Sequence, residues 1–190
     1  MNNLSQHGPS VSTKSLTLTG VMTAVLCLLG PVAIPLPVSP VPISFTNLAI
    51  YLAVYILGTK FGTVSCALYL FLGTIGLPVF SGFSGGPAKL AGPTGGYLMG
   101  FLFMALIAGF FIQTFSGKLI PSIAGMGIGT AVCYLLGTFW LAGQMNLTFT
   151  AALAIGVMPY LAGDIVKIII AALLGPKLKH AVTQLSYWSR

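Results

Sequence analysis

Six apolar stretches, at residues 15–34, 43–57, 61–79, 96–115, 119–142 and 150–174, fill most of this 190-residue chain. A helix needs about 20 consecutive apolar residues to cross the hydrocarbon core of a bilayer, so stretches of this length predict transmembrane helices. The second is short and reads as tilted, partly re-entrant, or extended by its flanks. Helix breakers fall between the stretches. Pro31, Pro35, Pro37, Pro40 and Pro42 end the first, and Gly58 parts the second from the third. Gly117 and Pro121 bracket the start of the fifth, and Gly175-Pro176 is expected to stop the sixth. The expected fold is an all-α membrane protein: a compact bundle of six transmembrane helices, with five as the alternative, forming one domain over residues 1–190.

Charge excludes most other classes. Only 5% of residues are charged, against about a quarter in soluble domains, so the chain cannot cover a water-facing surface. A net charge of +7 would suit nucleic acid only if clustered on one face. Here the basic residues stand singly between apolar runs, so no nucleic-acid partner is expected. Cys27, Cys66 and Cys133 each fall inside an apolar run, where thiols act as small hydrophobes, and their spacing suggests neither a metal nor a disulfide framework. His7 and His180 lie in or beside polar flanks and read as solvated. The stretch after Lys14 is too long for the apolar core of a signal peptide and no cleavage site follows it.

The basic residues also set an orientation. With both termini cytoplasmic, the inner flanks contain Lys14, Lys60, Lys118, Lys177, Lys179 and Arg190, six of the eight lysines and arginines, as the positive-inside rule requires. Residues 1–14 and 180–190 are then cytoplasmic segments flanking a bundle over residues 15–179. Tyr187 and Trp188 read as interfacial anchors. Small residues recur four apart at Gly20/Ala24, Ala105/Gly109, Gly125/Gly129 and Gly127/Ala131. Such pairs let helix backbones approach closely, either within the bundle or against another membrane protein.

Three features stand out as candidates for chemistry. Asp164 is the sole acidic residue and sits in the sixth stretch, at a depth where a bare charge costs several kcal/mol. Lys167, three residues on, shares its helical face and can pair with it, and Tyr160, four residues earlier, extends the stripe. A structural ion pair is the plain alternative to a site. The second feature is the loop at residues 80–94, rich in glycine, with Pro87 and Pro93 to stiffen it and Lys89 near its middle. It lacks the GxxxxGK[ST] pattern and a preceding strand, so it is no phosphate loop; an ordered cap or a flexible connector remain. The third is the proline-rich segment at residues 31–42 with Ser44, Thr46 and Asn47 after it, which either line a site or cap a helix. Asn146-Leu147-Thr148 matches a glycosylation sequon, a pattern short enough to arise by chance. Topology puts the segments at 31–42, 80–94 and 143–149 on one outer side, which suggests an outward pocket floored by Asp164 and Lys167.

Read in order, PLPVSPVPISFTN, GLPVFSGFSGGPAKLAGPTGGYLMGF and MPYLAGDIVKIIIAALL resemble the BioY family, the biotin-specific S components of energy-coupling factor (ECF) transporters. The likeness runs from about Leu16 to Lys179. One departure is Asn47, where the family pattern leads one to expect a glutamine; the shorter amide keeps the donor and acceptor but not the reach. The resemblance implies a six-helix bundle that captures biotin from outside and hands it to a transmembrane coupling subunit with two ABC-type ATPases. Gly20 and Ala24 would face that coupling subunit. Biotin would be cargo rather than cofactor, and no cofactor is expected.

Biotin's chemistry suits these residues. Its ureido ring offers two N–H donors and a carbonyl, matched by a carboxylate and an ammonium on adjacent turns, Asp164 and Lys167. Its tail carboxylate needs a cation, for which Lys89 is available, or Lys167 if biotin lies the other way up. Phe80, Phe83, Tyr97 and Tyr160 can wall its apolar parts, and Thr46 and Asn47 can meet its polar atoms. An intramembrane enzyme would need a nucleophile–base pair or a carboxylate dyad. The chain has one carboxylate and no histidine in an apolar stretch, so no enzyme is expected. A channel or purely structural membrane protein is the third class, and a single Asp–Lys pair under a stiff loop suits capture better than conduction.

Overall fold

A computed structural model describes residues 12–37 and 39–185. His7, Arg190 and the expected anchors Tyr187 and Trp188 lie outside the described residues. The elements run α1 (Thr13–Leu29), β1 (Ala33–Leu36), β2 (Ser39–Ser44), α2 (Thr46–Thr74), α3 (Pro87–Ala91), α4 (Gly95–Thr114), α5 (Leu119–Met145), α6 (Phe149–Gly156), a 3₁₀ turn (Met158–Tyr160) and α7 (Leu161–Leu185). Four helical runs are long and apolar enough to cross a membrane: Thr46–Thr74, Gly95–Thr114, Leu119–Met145 and Phe149–Gln184. The chain is a mostly helical, multi-pass membrane protein.

Within α2, the backbone at Gly58 takes φ 75° and ψ 178°, neither of them helical. Side chains avoid that conformation and glycine does not. Beyond it the chain doubles back. A Cβ placed on Gly62 would lie 2.8 Å from the Cα of Val54, whereas residues eight apart in a straight helix are separated by about 12 Å. Gln113 of α4 fixes the bend, its Oε1 accepting from the Thr59 amide (3.2 Å) and hydroxyl (2.9 Å). The break expected at Gly58 is therefore a tight helical hairpin.

Three local expectations are corrected. The proline-rich segment is a small antiparallel hairpin beside the helices, with Ala33 opposite Ser44 and Ile34 opposite Ile43 before the register shifts. Prolines lack an N–H and tolerate extended edge strands, which is where these sit. The expected sixth helix is broken at Pro159 by the 3₁₀ turn, leaving α6 and α7 as separate pieces. Gly175-Pro176 stops nothing: α7 continues through Pro176 to Leu185. Gly175 instead lets the Tyr55 ring lie against the helix, in space a Cβ would fill.

The core gathers aromatic and thioether side chains from several elements. Tyr51, Tyr55, Tyr69, Phe80, Met104 and Met126 are all buried. Tyr69 meets Phe80 edge-on at 5.5 Å, the arrangement ring quadrupoles favour. The small-residue pairs divide by role. A Cβ on Gly109 would meet the Thr59 backbone at 2.9 Å and one on Gly129 the Met104 carbonyl at 3.0 Å, whereas Gly20 and Gly127 have nothing within 4 Å. The first two bring helices together inside the bundle; the others face outward.

Gly109→Leu should thus lower thermal stability in detergent, at a cost of about 1–3 kcal/mol for overpacking, while Gly127→Leu leaves the melting temperature within a degree or so. Equal effects at the two positions would contradict this division.

Candidate ligand site

The site is built where α7 begins. The 3₁₀ turn restarts the helix just before Asp164, which therefore occupies the first turn of α7 rather than the interior of one unbroken sixth helix. Unpaired N–H groups at a helix start carry partial positive charge, which favours a carboxylate there. One turn on, Lys167 Nζ lies 2.9 Å from Asp164 Oδ1, and the Tyr134 hydroxyl on α5 donates to Oδ2 at 2.5 Å. Lys167 also donates to the Ser44 carbonyl of β2 at 2.7 Å and stands 5.9 Å from the Phe45 ring centroid. Asp164 and Lys167 are each only 7% exposed. The Tyr160 hydroxyl donates to the Val41 carbonyl, so two side chains from the α7 region hold β2 in place.

This network borders a cavity that is partly open to the outside and lined by apolar and aromatic side chains with a few polar groups among them, the make-up usual for small-molecule pockets. Of the residues singled out in the sequence, Asp164, Lys167, Tyr160, Lys89, Tyr97, Phe80 and Asn47 all line it. Thr46 and Phe83 do not. Thr46 is 1% exposed and accepts from the Ser44 hydroxyl at 3.1 Å, an arrangement that closes the start of α2. Phe83 is 72% exposed at a left-handed turn position, φ 55°, so its ring points away from the cavity. Gly20 and Ala24 are exposed on α1, apart from the cavity.

Supporting contacts fix the walls. The Tyr97 hydroxyl donates to the Gly156 carbonyl at 3.0 Å, joining α4 to α6. The segment at residues 80–94 is folded around α3 and tied at three points. The Gly82 amide donates to the Pro31 carbonyl (3.1 Å) and the Gly86 amide to the Gly73 carbonyl (2.7 Å). At its far end the Trp140 indole donates to the Gly92 carbonyl (2.9 Å). Asn146 and Thr148 of the sequon have structural roles. Asn146 closes α5 in a left-handed conformation, and the Thr148 hydroxyl accepts from the Ala151 amide to open α6, each a preferred capping residue.

Among the polar groups that line the cavity, the Lys89 ammonium and the Asn47 amide stand out. The Lys89 ammonium makes no hydrogen bond or ion pair among the described residues, and the chain's single acid is already engaged by Lys167. Asn47 Oδ1 accepts from the Leu48 amide at 3.1 Å, while its NH₂ has no acceptor among the described residues. Sequence reasoning missed Tyr134 and the Val41 and Ser44 carbonyls. Tyr134 was detectable in principle, as a hydroxyl inside an apolar helix that needs an acceptor; backbone carbonyls leave no trace in the residue string.

An apolar multi-pass bundle holding a cavity with a compensated ion pair in its wall and a free cation beside it defines a membrane protein built to hold a small polar ligand. The chain belongs to the BioY family, whose model matches residues 1–184. It is 37% identical over 169 residues to the biotin transporter BioY of Thermotoga maritima, covering 87% of this chain and 96% of that one. The biotin transporter BioY of Rhizobium etli is 36% identical over 178 residues, covering 87% and 92%. Among solved structures, the S-component for biotin from an ECF-type ABC transporter superposes with a TM-score of 0.83 at 31% identity, over 90% of this chain and 95% of that one.

Breaking the pair should cost far more than deleting it. Lys167→Met leaves a buried carboxylate uncompensated and should destabilise the protein by about 3–5 kcal/mol. Adding Asp164→Asn should restore much of that loss, as read by thermal unfolding of the ligand-free protein. A double variant less stable than Lys167→Met alone would contradict an energetically coupled pair.

Proposed function

We propose that this protein is the substrate-binding S component of an ECF-type importer, capturing biotin on the outer side of the cell membrane for ATP-driven uptake. The observation that carries the reading is the cavity's polarity. It presents a neutralised Asp164–Lys167 pair to one part of a ligand and an unpaired Lys89 to another. Biotin has a neutral ureido head, an apolar bicycle and an anionic tail, and that sequence of polarities fits. Asp164 accepts from a ureido N–H, Lys167 donates to the ureido carbonyl, and Lys89 holds the tail carboxylate. Tyr97, Phe80 and Tyr160 wall the apolar middle, and the free NH₂ of Asn47 is a second donor. The chain has no Walker motif, which fits an energy source in partner subunits: a transmembrane coupling subunit and two ABC-type ATPases. Gly20 and Ala24, open on α1, suit close approach by that coupling subunit.

Counting the halves of α2 separately, with α1, α4, α5 and the α6–α7 run, gives six membrane crossings. Both termini then lie in the cytoplasm, and the segment at 80–94 and the β-hairpin lie outside. The lysine distribution supports this orientation. In a background lacking Cys27, Cys66 and Cys133, Lys60→Cys and Lys118→Cys should react with impermeant reagents only from the cytoplasmic side, and Ser84→Cys only from outside. Reaction of Ser84→Cys from the cytoplasm would invert the proposal.

Purified protein should bind labelled biotin and release it to unlabelled biotin but not to other vitamins. Lys89→Ala should weaken biotin about ten- to a hundredfold, the worth of a charge-assisted hydrogen bond. It should weaken biotin amide much less, since the amide lacks the charge. If the amide and biotin lose equally, Lys89 is not the tail's partner; if the differential effect moves to Lys167→Ala, biotin lies the other way up.

A further inference from the structure

The Tyr134–Asp164 contact contributes something the ion pair alone does not. A carboxylate offers about four lone-pair positions, and Lys167 fills one on Oδ1 while Tyr134 fills one on Oδ2. With Lys167 as its sole partner, the carboxyl group would be free to rotate about its Cβ–Cγ bond and chelate the ammonium with both oxygens. Such a rotation turns acceptor capacity away from the cavity. Tyr134 prevents it, because it donates from a different helix to the opposite oxygen. Its own side chain lines the cavity, so the shared face of hydroxyl and carboxylate is turned toward a ligand. Lys167 cannot shift to follow a rotating carboxylate either, being held by the Ser44 carbonyl at 2.7 Å.

We infer that Tyr134 is a specificity-determining positioning residue: it locks Asp164 as a preorganised acceptor for the N–H groups of a cyclic urea. This rests on the biotin reading above. An acceptor fixed before the ligand arrives costs no ordering on binding, and it rewards a ligand N–H while offering nothing to an N-alkylated ring. Tyr134 thus acts through Asp164, and its removal should be felt only by ligands that use that carboxylate.

The test is Tyr134→Phe, which keeps the ring and its packing, assayed by equilibrium binding to biotin, desthiobiotin and the two mono-N-methyl ureido analogues of biotin. Biotin and desthiobiotin, which share an intact urea, should each weaken about tenfold. At least one N-methyl analogue should weaken less than about twofold relative to its own affinity for the unsubstituted protein. Unchanged biotin affinity in Tyr134→Phe would overturn the inference and leave the biotin reading standing. Equal fold-losses for biotin and both N-methyl analogues would overturn it as well, making Tyr134 a general support of the cavity. A Tyr134→Phe protein that no longer folds would do the same. Failure of the unsubstituted protein to bind biotin at all would overturn the underlying reading, and the inference with it.

Discussion

One buried ion pair organises this molecule. A lone carboxylate inside a bundle with so few charges is tolerated only if it is neutralised and hydrogen-bonded on every side. The fold supplies those partners from three sources. Lys167 comes from one turn further along α7, Tyr134 from α5, and the dipole from the start of α7 itself, while the Ser44 carbonyl of β2 accepts from Lys167 and holds it beside the carboxylate. Each requirement explains a departure from a plain helical bundle. The last apolar stretch is broken so that a helix begins at Leu161 and places Asp164 in its first turn. The proline-rich segment is a strand pair rather than a loop because a regular edge presents the carbonyls of Val41 and Ser44 to α7. The helix break and the hairpin belong to one arrangement, and neither has an evident purpose without the other.

The cavity's walls follow from the same logic carried outward. Aromatic rings are fixed by backbone partners before any ligand is present: Tyr97 by the Gly156 carbonyl and Tyr160 by that of Val41. The segment at residues 80–94 is held by backbone bonds at Gly82 and Gly86 and by the Trp140 indole at Gly92, leaving the Lys89 ammonium, between those ties, without a partner among the described residues. Fixed rings and a free cation are what a preformed small-molecule pocket requires, since only the surplus over ordering costs appears as affinity.

The sequence conveyed the large scale and the chemistry better than the local geometry. Apolar run lengths located the helices because hydrocarbon thickness is a hard constraint, and Gly58 marked a real reversal. Asp164, Lys167 and Lys89 stood out because charge is so rare in this chain that each occurrence must be explained. Periodicity failed where backbone geometry is set by long-range partners. The Pro31–Pro42 hairpin depends on carbonyls finding donors more than a hundred residues away, at Tyr160 and Lys167. Gly175-Pro176 looked like a terminator because the local rule for proline ignores the Tyr55 ring packed at that turn. Phe83 was grouped with the pocket aromatics by proximity in sequence, whereas the left-handed turn at that residue sends its ring outward. Tyr134 escaped notice because a tyrosine in an apolar helix looks like core until its acceptor is located.

The charge arrangement also constrains what kind of small molecule belongs in the cavity. Asp164 and Lys167 cancel, so that part of the wall presents hydrogen-bonding geometry without net field and suits a neutral polar head. Lys89 is uncompensated, so the cavity as a whole carries one positive charge and favours a monoanion. A dianion would bring a charge for which no second free cation lines the cavity among the described residues, and a cation would meet Lys89 with nothing to offset it. A neutral ligand would leave the ammonium without a counter-charge. The fit is to a molecule whose single negative charge is separated by apolar atoms from an uncharged donor–acceptor head. In the proposed reading shape and polarity act together: the buried pair would select ligands that satisfy its hydrogen bonds, and the free lysine those that bring the charge.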